Sequence, residues 1–397
     1  MNAHRPGGFP VKTAIIVASV LASPLAAQVP TDSTDNAPPF VAGGVYDRPY
    51  LTNLLGRTAI GGYVEAQTRW EQVDGVREGL GFQLKRWNIF TATQVNDFIR
   101  VGAELEFEEL GEEITLEYAA IDFTVHPSVT FRAGAILSPL GRFNLSHDSP
   151  RNEFTDRPIV STDIIGTALT EPGVGVLGSL PLGRMGRMTY EVYAVNGFHD
   201  GLLNLSSEGV RLPAGKGNFE DNNSSPAAVG RLAWSPSLGY EVAVSGHRGA
   251  WNRFEIDGER VEDRRDLTIL AVDGEAVIGG VALSGEAVRA SIELPPTLEG
   301  LFASRQHGLY MQAVKEFGSG WIRTMPGSFF EAGARFDAVD FDLDESGDSR
   351  KRITLGLNFR PSRDVALKLD YIRGRTRDRF NTAGEEAGLL FSIASYF

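Results

Sequence analysis

After residue 27 the chain has no apolar run near the roughly 18 residues that a membrane-spanning helix requires, yet polar and apolar residues alternate singly over most of its length. In residues 352–360, Ile353, Leu355, Leu357 and Phe359 alternate with Arg352, Thr354, Gly356, Asn358 and Arg360. The same period of two recurs over residues 100–108, 330–337 and 365–371. Successive side chains of a strand point to opposite faces, so this pattern specifies strands with one apolar and one polar face. A soluble sandwich turns the apolar face inward, whereas a membrane barrel turns it to lipid and its polar face to a wet lumen. Alternation alone does not separate the two.

The ends of the chain do. Residues 1–27 carry basic Arg5 and Lys12, an apolar stretch over 13–22, then small residues leading to Ala26-Ala27, the parts of an export signal. Residues 28–57 are rich in Pro, Thr, Asp and Gly and are expected to form an irregular periplasmic lead-in. The last segment, Gly388 to Phe397, alternates and stops on an aromatic, resembling the closing strand that outer-membrane barrels present for assembly. The chain has no Cys, which excludes disulfides, thiolate catalysis and Cys-based metal sites. Its formal charge of −13 argues against general nucleic-acid binding. The expected fold class is therefore all-β, a transmembrane antiparallel β-barrel over residues 58–397 in the bacterial outer membrane.

Sixteen strands are expected between residues 59–71 and 387–397, among them 79–94, 113–125, 266–273, 277–291 and 321–339. Short turns, such as Asp273-Gly274-Glu275 and Gly318-Ser319-Gly320, alternate with longer connections, as outer-membrane barrels require. Strands 79–94, 113–125 and 277–291 break phase midway, which predicts bulges there. A barrel of this size leaves an aqueous interior. Alternation points Arg69, Lys85, Glu104, Glu106, Arg132, Glu331, Arg335, Arg352, Arg360 and Lys368 inward, which predicts a charged lumen without apolar lining. Such a lumen suits small hydrophilic solutes or ions rather than lipid chains.

The third external connection, residues 139–166, is long enough to be functional. Its lead-in, Arg132-Ala133-Gly134 followed by Ser138-Pro139-Leu140-Gly141, resembles that of porins related to the phosphate-selective porins O and P. The resemblance implies a passive, trimeric pore whose third loop folds into the lumen. Carried over, it places Arg142, His147, Asp148, Arg151, Glu153, Asp156 and Arg157 at the constriction. Phosphate selectivity is not carried over: Lys is scarce and the expected lumen leans acidic, so weak cation preference or little selectivity is expected.

Arg373, Arg375, Arg377 and Arg379 alternate onto one face near the rim, suited to lipopolysaccharide phosphates or simply to solvent. Asp340, Asp342, Asp344, Glu345 and Asp348 form an acidic loop without the glycine spacing of an EF-hand, so no metal site is expected. The only candidate for catalysis is His147 beside Asp148, near Ser146 and Ser149. Residues so close on one loop seldom face each other, so neither an enzyme nor a cofactor is expected. The rival reading is a structural or adhesion barrel plugged by its long loops.

Overall fold

The computed structural model describes residues 51–55, 57–77, 79–203 and 210–397; the expected export signal and most of the lead-in lie outside the described residues. At the end of the lead-in, Leu51–Leu55 forms a short strand paired with the first barrel strand. The sixteen barrel strands are β1 Thr58–Val73, β2 Gly81–Gln94, β3 Ile99–Glu108, β4 Glu113–His126, β5 Val129–Leu137, β6 Thr170–Pro181, β7 Arg187–Val195 and β8 Ala227–Ser237, then β9 Tyr240–Ala250, β10 Asp266–Ile278, β11 Val281–Ile292, β12 Arg305–Phe317, β13 Phe329–Asp340, β14 Ser349–Ser362, β15 Val365–Arg377 and β16 Ala383–Tyr396. Each pairs antiparallel with its chain neighbours, and β1 pairs with β16, Tyr63 opposite Tyr396 and Trp70 opposite Leu389, which closes the barrel. Closure leaves no free edge in the wall.

The alternation settles which face is which. On β14, Ile353, Leu355 and Leu357 are about half exposed, whereas Arg352, Thr354 and Asn358 are buried inside. Apolar side chains outside and polar ones within suit a barrel bathed in lipid and exclude a water-soluble sandwich. Near the short-turn end, Phe330 stacks 5.1 Å from Phe359 and 5.8 Å from Phe317, and Trp321 joins them, an aromatic girdle of the kind that anchors a barrel at the headgroup level.

Two of the three expected bulges are present. Between β1 and β2 the pairing steps from Glu65–Arg86 to Ala66–Leu84, leaving Lys85 as the extra residue. Between β3 and β4 it steps from Glu104–Tyr118 to Leu105–Leu116, leaving Glu117 extra. The third phase break is a turn instead. β10 runs on through Gly274 to Ile278, and Gly279-Gly280 makes the hairpin, with φ of 60° and 72°. A two-residue hairpin of this hand needs positive φ at both positions, so the turn belongs at Gly-Gly and not at Asp273-Gly274-Glu275. A Cβ on Gly279 would meet no atom. Gly279→Ala therefore tests backbone strain alone, and a loss of roughly 1 kcal/mol is expected from urea unfolding of the refolded barrel. The turn expected at Gly318-Ser319-Gly320 is instead longer, spanning residues 318–328 before β13 begins.

The interior is not uniformly polar. Towards the long-loop end, Leu267, Ile269 and Ala271 on β10 and Val288, Ala290 and Ile292 on β11 face inward and are buried. Ile159, Val160, Ile164 and Ile165 pack on them, with Phe198, Leu202 and Leu212 from the β7–β8 connection and Trp251 from the β9–β10 connection. This corrects the expectation of a lumen without apolar lining. Leu270 and Val272 meet lipid outside while their neighbours meet this core inside, so the stretch is apolar on both faces. Each fully buried Leu or Ile contributes about 1.5–3 kcal/mol, so the core fixes the long loops over that half of the barrel.

Candidate pore constriction

The β5–β6 connection, residues 138–169, turns into the barrel. Its two ends are stapled by Asn144, whose amide donates to the carbonyls of Ser138 (2.7 Å) and Leu169 (3.2 Å) and accepts from the Leu169 N–H (2.8 Å). A short helix, Arg142–Leu145, follows the inward turn, and a single helical turn at Ser161–Ile165 ends the crossing. Between them the segment is bonded to the consecutive strands β13, β14 and β15. The Thr155 N–H donates to Asp370 on β15 (2.6 Å), and the Ile159 N–H to Asp337 on β13 (3.0 Å). Lys368 donates to the Ser149 and Phe154 carbonyls (2.7 and 3.3 Å), and Arg360 to that of Pro150 (2.6 Å).

Asp156 is the centre of this attachment. Its carboxylate accepts from Arg69 on β1 (2.7 Å) and Arg352 on β14 (2.8 Å), while its carbonyl accepts from Arg335 on β13 (2.9 Å). Burial alone would push the carboxyl up; Arg352 and Arg69 outweigh it and hold Asp156 well below the usual carboxylate range. A depressed folded value contributes stability above the unfolded pKa of about 3.9 and loses it only as pH falls through the folded one. Any difference in conductance between the wild type and Asp156→Asn should therefore persist on acidification to about pH 5; its disappearance there would contradict the ion-pair assignment.

The other residues expected at the constriction divide into two groups. Arg142, Arg151 and Glu153 line a cavity of ≈ 370 Å³, with Arg360, Arg363, Glu331 and Gln312 on the wall. Arg142 is bonded to Glu275, and Glu153 accepts from Gln312 (2.9 Å). His147, Asp148 and Arg157 are turned to the wall. His147 is buried, with Nδ1 2.9 Å from the Asn144 carbonyl and Nε2 3.4 Å from Glu117. Asp148 accepts from the Tyr396 hydroxyl (2.7 Å), and Ser149 donates to Glu65 (2.5 Å). The His, Asp and Ser side chains thus each take a different partner on the wall. Arg157 donates to the Thr167 carbonyl (3.3 Å) and lies 4.0 Å from Glu106.

The expected lining residues face inward, most of them spent on bonds within the wall or to the segment. Arg132 chelates Asp122 (2.7 and 2.9 Å), Glu104 accepts from Asn88 (3.0 Å), and Glu331 accepts from Arg360 (2.7 Å). Glu106 lies 3.3 Å from both the Tyr63 hydroxyl and Arg86. Lys85 reaches only Glu109 (3.4 Å) near the long-loop rim. Arg86, which strict alternation points outward, is instead buried between Glu65 (2.9 Å) and Glu108 (2.8 Å), because the bulge at Lys85 shifts the phase. The acidic β13–β14 loop is also engaged: Asp348 pairs with Arg211 (2.8 Å) and Asp344 with Arg305, tying it to the β7–β8 connection and to the start of β12.

No family model matches the chain. An uncharacterized protein of Aquifex aeolicus is 24% identical over 325 residues, covering 75% of this chain and 71% of that one. Among solved structures, OmpF of Salmonella typhi in complex with daunomycin aligns with a TM-score of 0.57 at 12% identity, over 86% of this chain and 97% of that one. The anion-selective porin of Comamonas acidovorans gives 0.54 at 11% over 86% and 99%, and the outer-membrane channel DcaP of Acinetobacter baumannii 0.53 at 11% over 86% and 97%. At such identities the likeness is one of fold: the chain is a closed sixteen-stranded barrel of the outer-membrane porin type.

Proposed function

We propose that the chain is a passive outer-membrane porin for small hydrophilic solutes or ions, assembled as a homotrimer and constricted by residues 139–166. The observation that carries this reading is the inward segment itself, anchored through Asp156 to β1, β13 and β14 and leaving the ≈ 370 Å³ cavity beside it. A kinship with the phosphate-selective porins O and P belongs to the same reading, supported by the stretch 131–141 that leads into the segment. The cavity lining favours anions over the weak cation preference expected from scarce Lys and an acid-leaning lumen: Arg142, Arg151, Arg360 and Arg363 stand against Glu153 and Glu331. Many of the acids that alternation sends inward, among them Glu65, Glu104, Glu117 and Asp337, are buried in bonds and do not face the cavity. The charge an ion meets differs from the charge of the inward-pointing residues as a set for that reason. The experiment is single-channel recording of the refolded chain in planar bilayers under a salt gradient. Stepwise openings with an anion-side reversal potential are expected, shifted towards cations by Arg151→Ala with Arg363→Ala. A folded barrel that never conducts would overturn the reading.

The apolar core of loops over β10 and β11 favours one other reading, a non-conducting structural barrel plugged at its outer end. The same recording separates the two.

A further inference from the structure

The ≈ 370 Å³ cavity beside the inward segment carries more chemistry than the passage of ions requires. It reaches from Tyr310 and Gln312, midway along β12, to Arg363 in the β14–β15 turn, with Arg142 and Glu153 of the segment on its other side. Its volume is at the lower end of the range for ligand sites, about 300–1,000 Å³, so it suits one small molecule.

Some of its polar atoms are committed and others are not. Arg360 is spent: its nitrogens bond Glu331 (2.7 Å) and the carbonyls of Pro150 (2.6 Å) and Asn152 (3.4 Å). The acids are only half used. Glu331 accepts from Arg360 and Asn358 (3.1 Å) on Oε2, and Glu153 accepts from Gln312 (2.9 Å) on Oε2. Among the described residues, nothing donates to the Oε1 atom of either. Asn358 holds the two acids in one patch, donating to Glu331 and to the Glu153 carbonyl (2.7 Å). Tyr310 is 2% exposed, yet its hydroxyl makes no hydrogen bond among the described residues. Arg363 is weakly held, 3.8 Å from the exposed Glu316, with its guanidinium 5.2 Å from the centre of the Phe329 ring.

This lining asks for a ligand with both a negative charge and hydroxyl donors. Phosphate suits the arginines but sets its lone pairs against Glu153 and Glu331. A neutral sugar suits the carboxylates and leaves the guanidiniums without a counter-charge. An aromatic acid finds little ring face, because Tyr310 and Phe329 are both buried. We propose that the cavity binds a monosaccharide acid, with its carboxylate on Arg363 and its hydroxyls on Glu153, Glu331 and Tyr310. The proposal rests on the channel reading and names the solute class that this channel passes. A site built to accept from hydroxyls rejects ligands that lack them, since its polar groups are then left unpaired.

The test is isothermal titration calorimetry of the detergent-solubilised full-length protein with D-glucuronate, D-glucose, benzoate or inorganic phosphate. D-glucuronate is expected to bind at least about tenfold more tightly than each of the others. Glu153→Gln removes the charge and one acceptor oxygen; it is expected to weaken glucuronate about tenfold and to tighten phosphate. A segment merely displaced by the substitution would weaken both. Arg363→Ala is expected to weaken glucuronate and leave glucose unchanged. Absence of glucuronate binding, or phosphate or benzoate binding as tightly, would overturn the proposal in the wild type without any variant. So would an unchanged glucuronate affinity in a Glu153→Gln barrel that still shifts its gel mobility on heating. Failure of this proposal appears in binding, and failure of the channel reading in conductance: a barrel that binds glucuronate but never conducts would overturn the channel alone.

Discussion

Asp156→Ala is expected to free the inward segment while leaving the barrel closed. The substitution leaves Arg352 buried without its carboxylate, Arg69 with Glu71 alone (2.9 Å), and Arg335 held by Asp337 (3.0 Å). Removing one partner from a buried ion pair costs about 3–5 kcal/mol, here charged to the docking of one segment because the strand pairing does not include it. Three kcal/mol is more than a hundredfold in the population of the released segment. The expected outcome is a rise in mean conductance with added current noise, and a smaller rise for Asp156→Asn, which keeps one of the two acceptor oxygens but no charge. Heat-dependent gel mobility should show the barrel intact. Unchanged conductance in a folded Asp156→Ala barrel would mean that the segment does not set the passage.

The largest effect on folding is expected at Gly134. It sits on β5 opposite Ala120 and Gly173, with φ of 138°. A Cβ there would lie 2.2 Å from the Ala119 carbonyl oxygen and 2.8 Å from the Ala120 Cα. Both obstacles are backbone in a neighbouring strand, so no rotamer change relieves them, and the strands would have to separate. Gly134→Ala should lose on the order of 4 kcal/mol, and Gly134→Val should fail to form the folded band. A wild-type unfolding midpoint for Gly134→Ala would refute the close approach of β4 and β5.

The wall was legible in the sequence because its physics is local. A period of two, read at Arg352–Arg360, fixes a strand, its inner face and its register, and the alternation of short and long connections orders the strands. Where the period fails, the reading fails with it. Lys85 and Arg86 both turn inward at a bulge, as do Glu117 and Tyr118, so strict alternation misassigns the residue beside each bulge. The interior is different. Asp156 was expected near the constriction, but nothing local ties it to Arg69, 87 residues away, or to Arg352, 196 away. Neutral partners such as Asn358, Gln312 and Ser245 carry no signal of their own, although each bonds the segment. One sign of the inner apolar core was visible: residues 267–272, Leu-Thr-Ile-Leu-Ala-Val, are apolar on both faces, which a strand between lipid and water does not need.

The central claim, that residues 139–166 lie across the lumen, is tested most directly by a disulfide, and the natural absence of Cys makes the background clean. The Thr155 and Ser392 hydroxyl oxygens are 3.0 Å apart, both side chains buried inside the barrel, the first on the segment and the second on β16. That separation suits a pair of bonded sulfurs after modest adjustment. Thr155→Cys with Ser392→Cys should oxidise to an intramolecular crosslink in the folded barrel, and the crosslink should abolish the conductance rise of Asp156→Ala. A folded double-cysteine barrel whose two thiols stay reduced, and react freely with a bulky reagent added from outside, would show the segment outside the lumen and contradict the account.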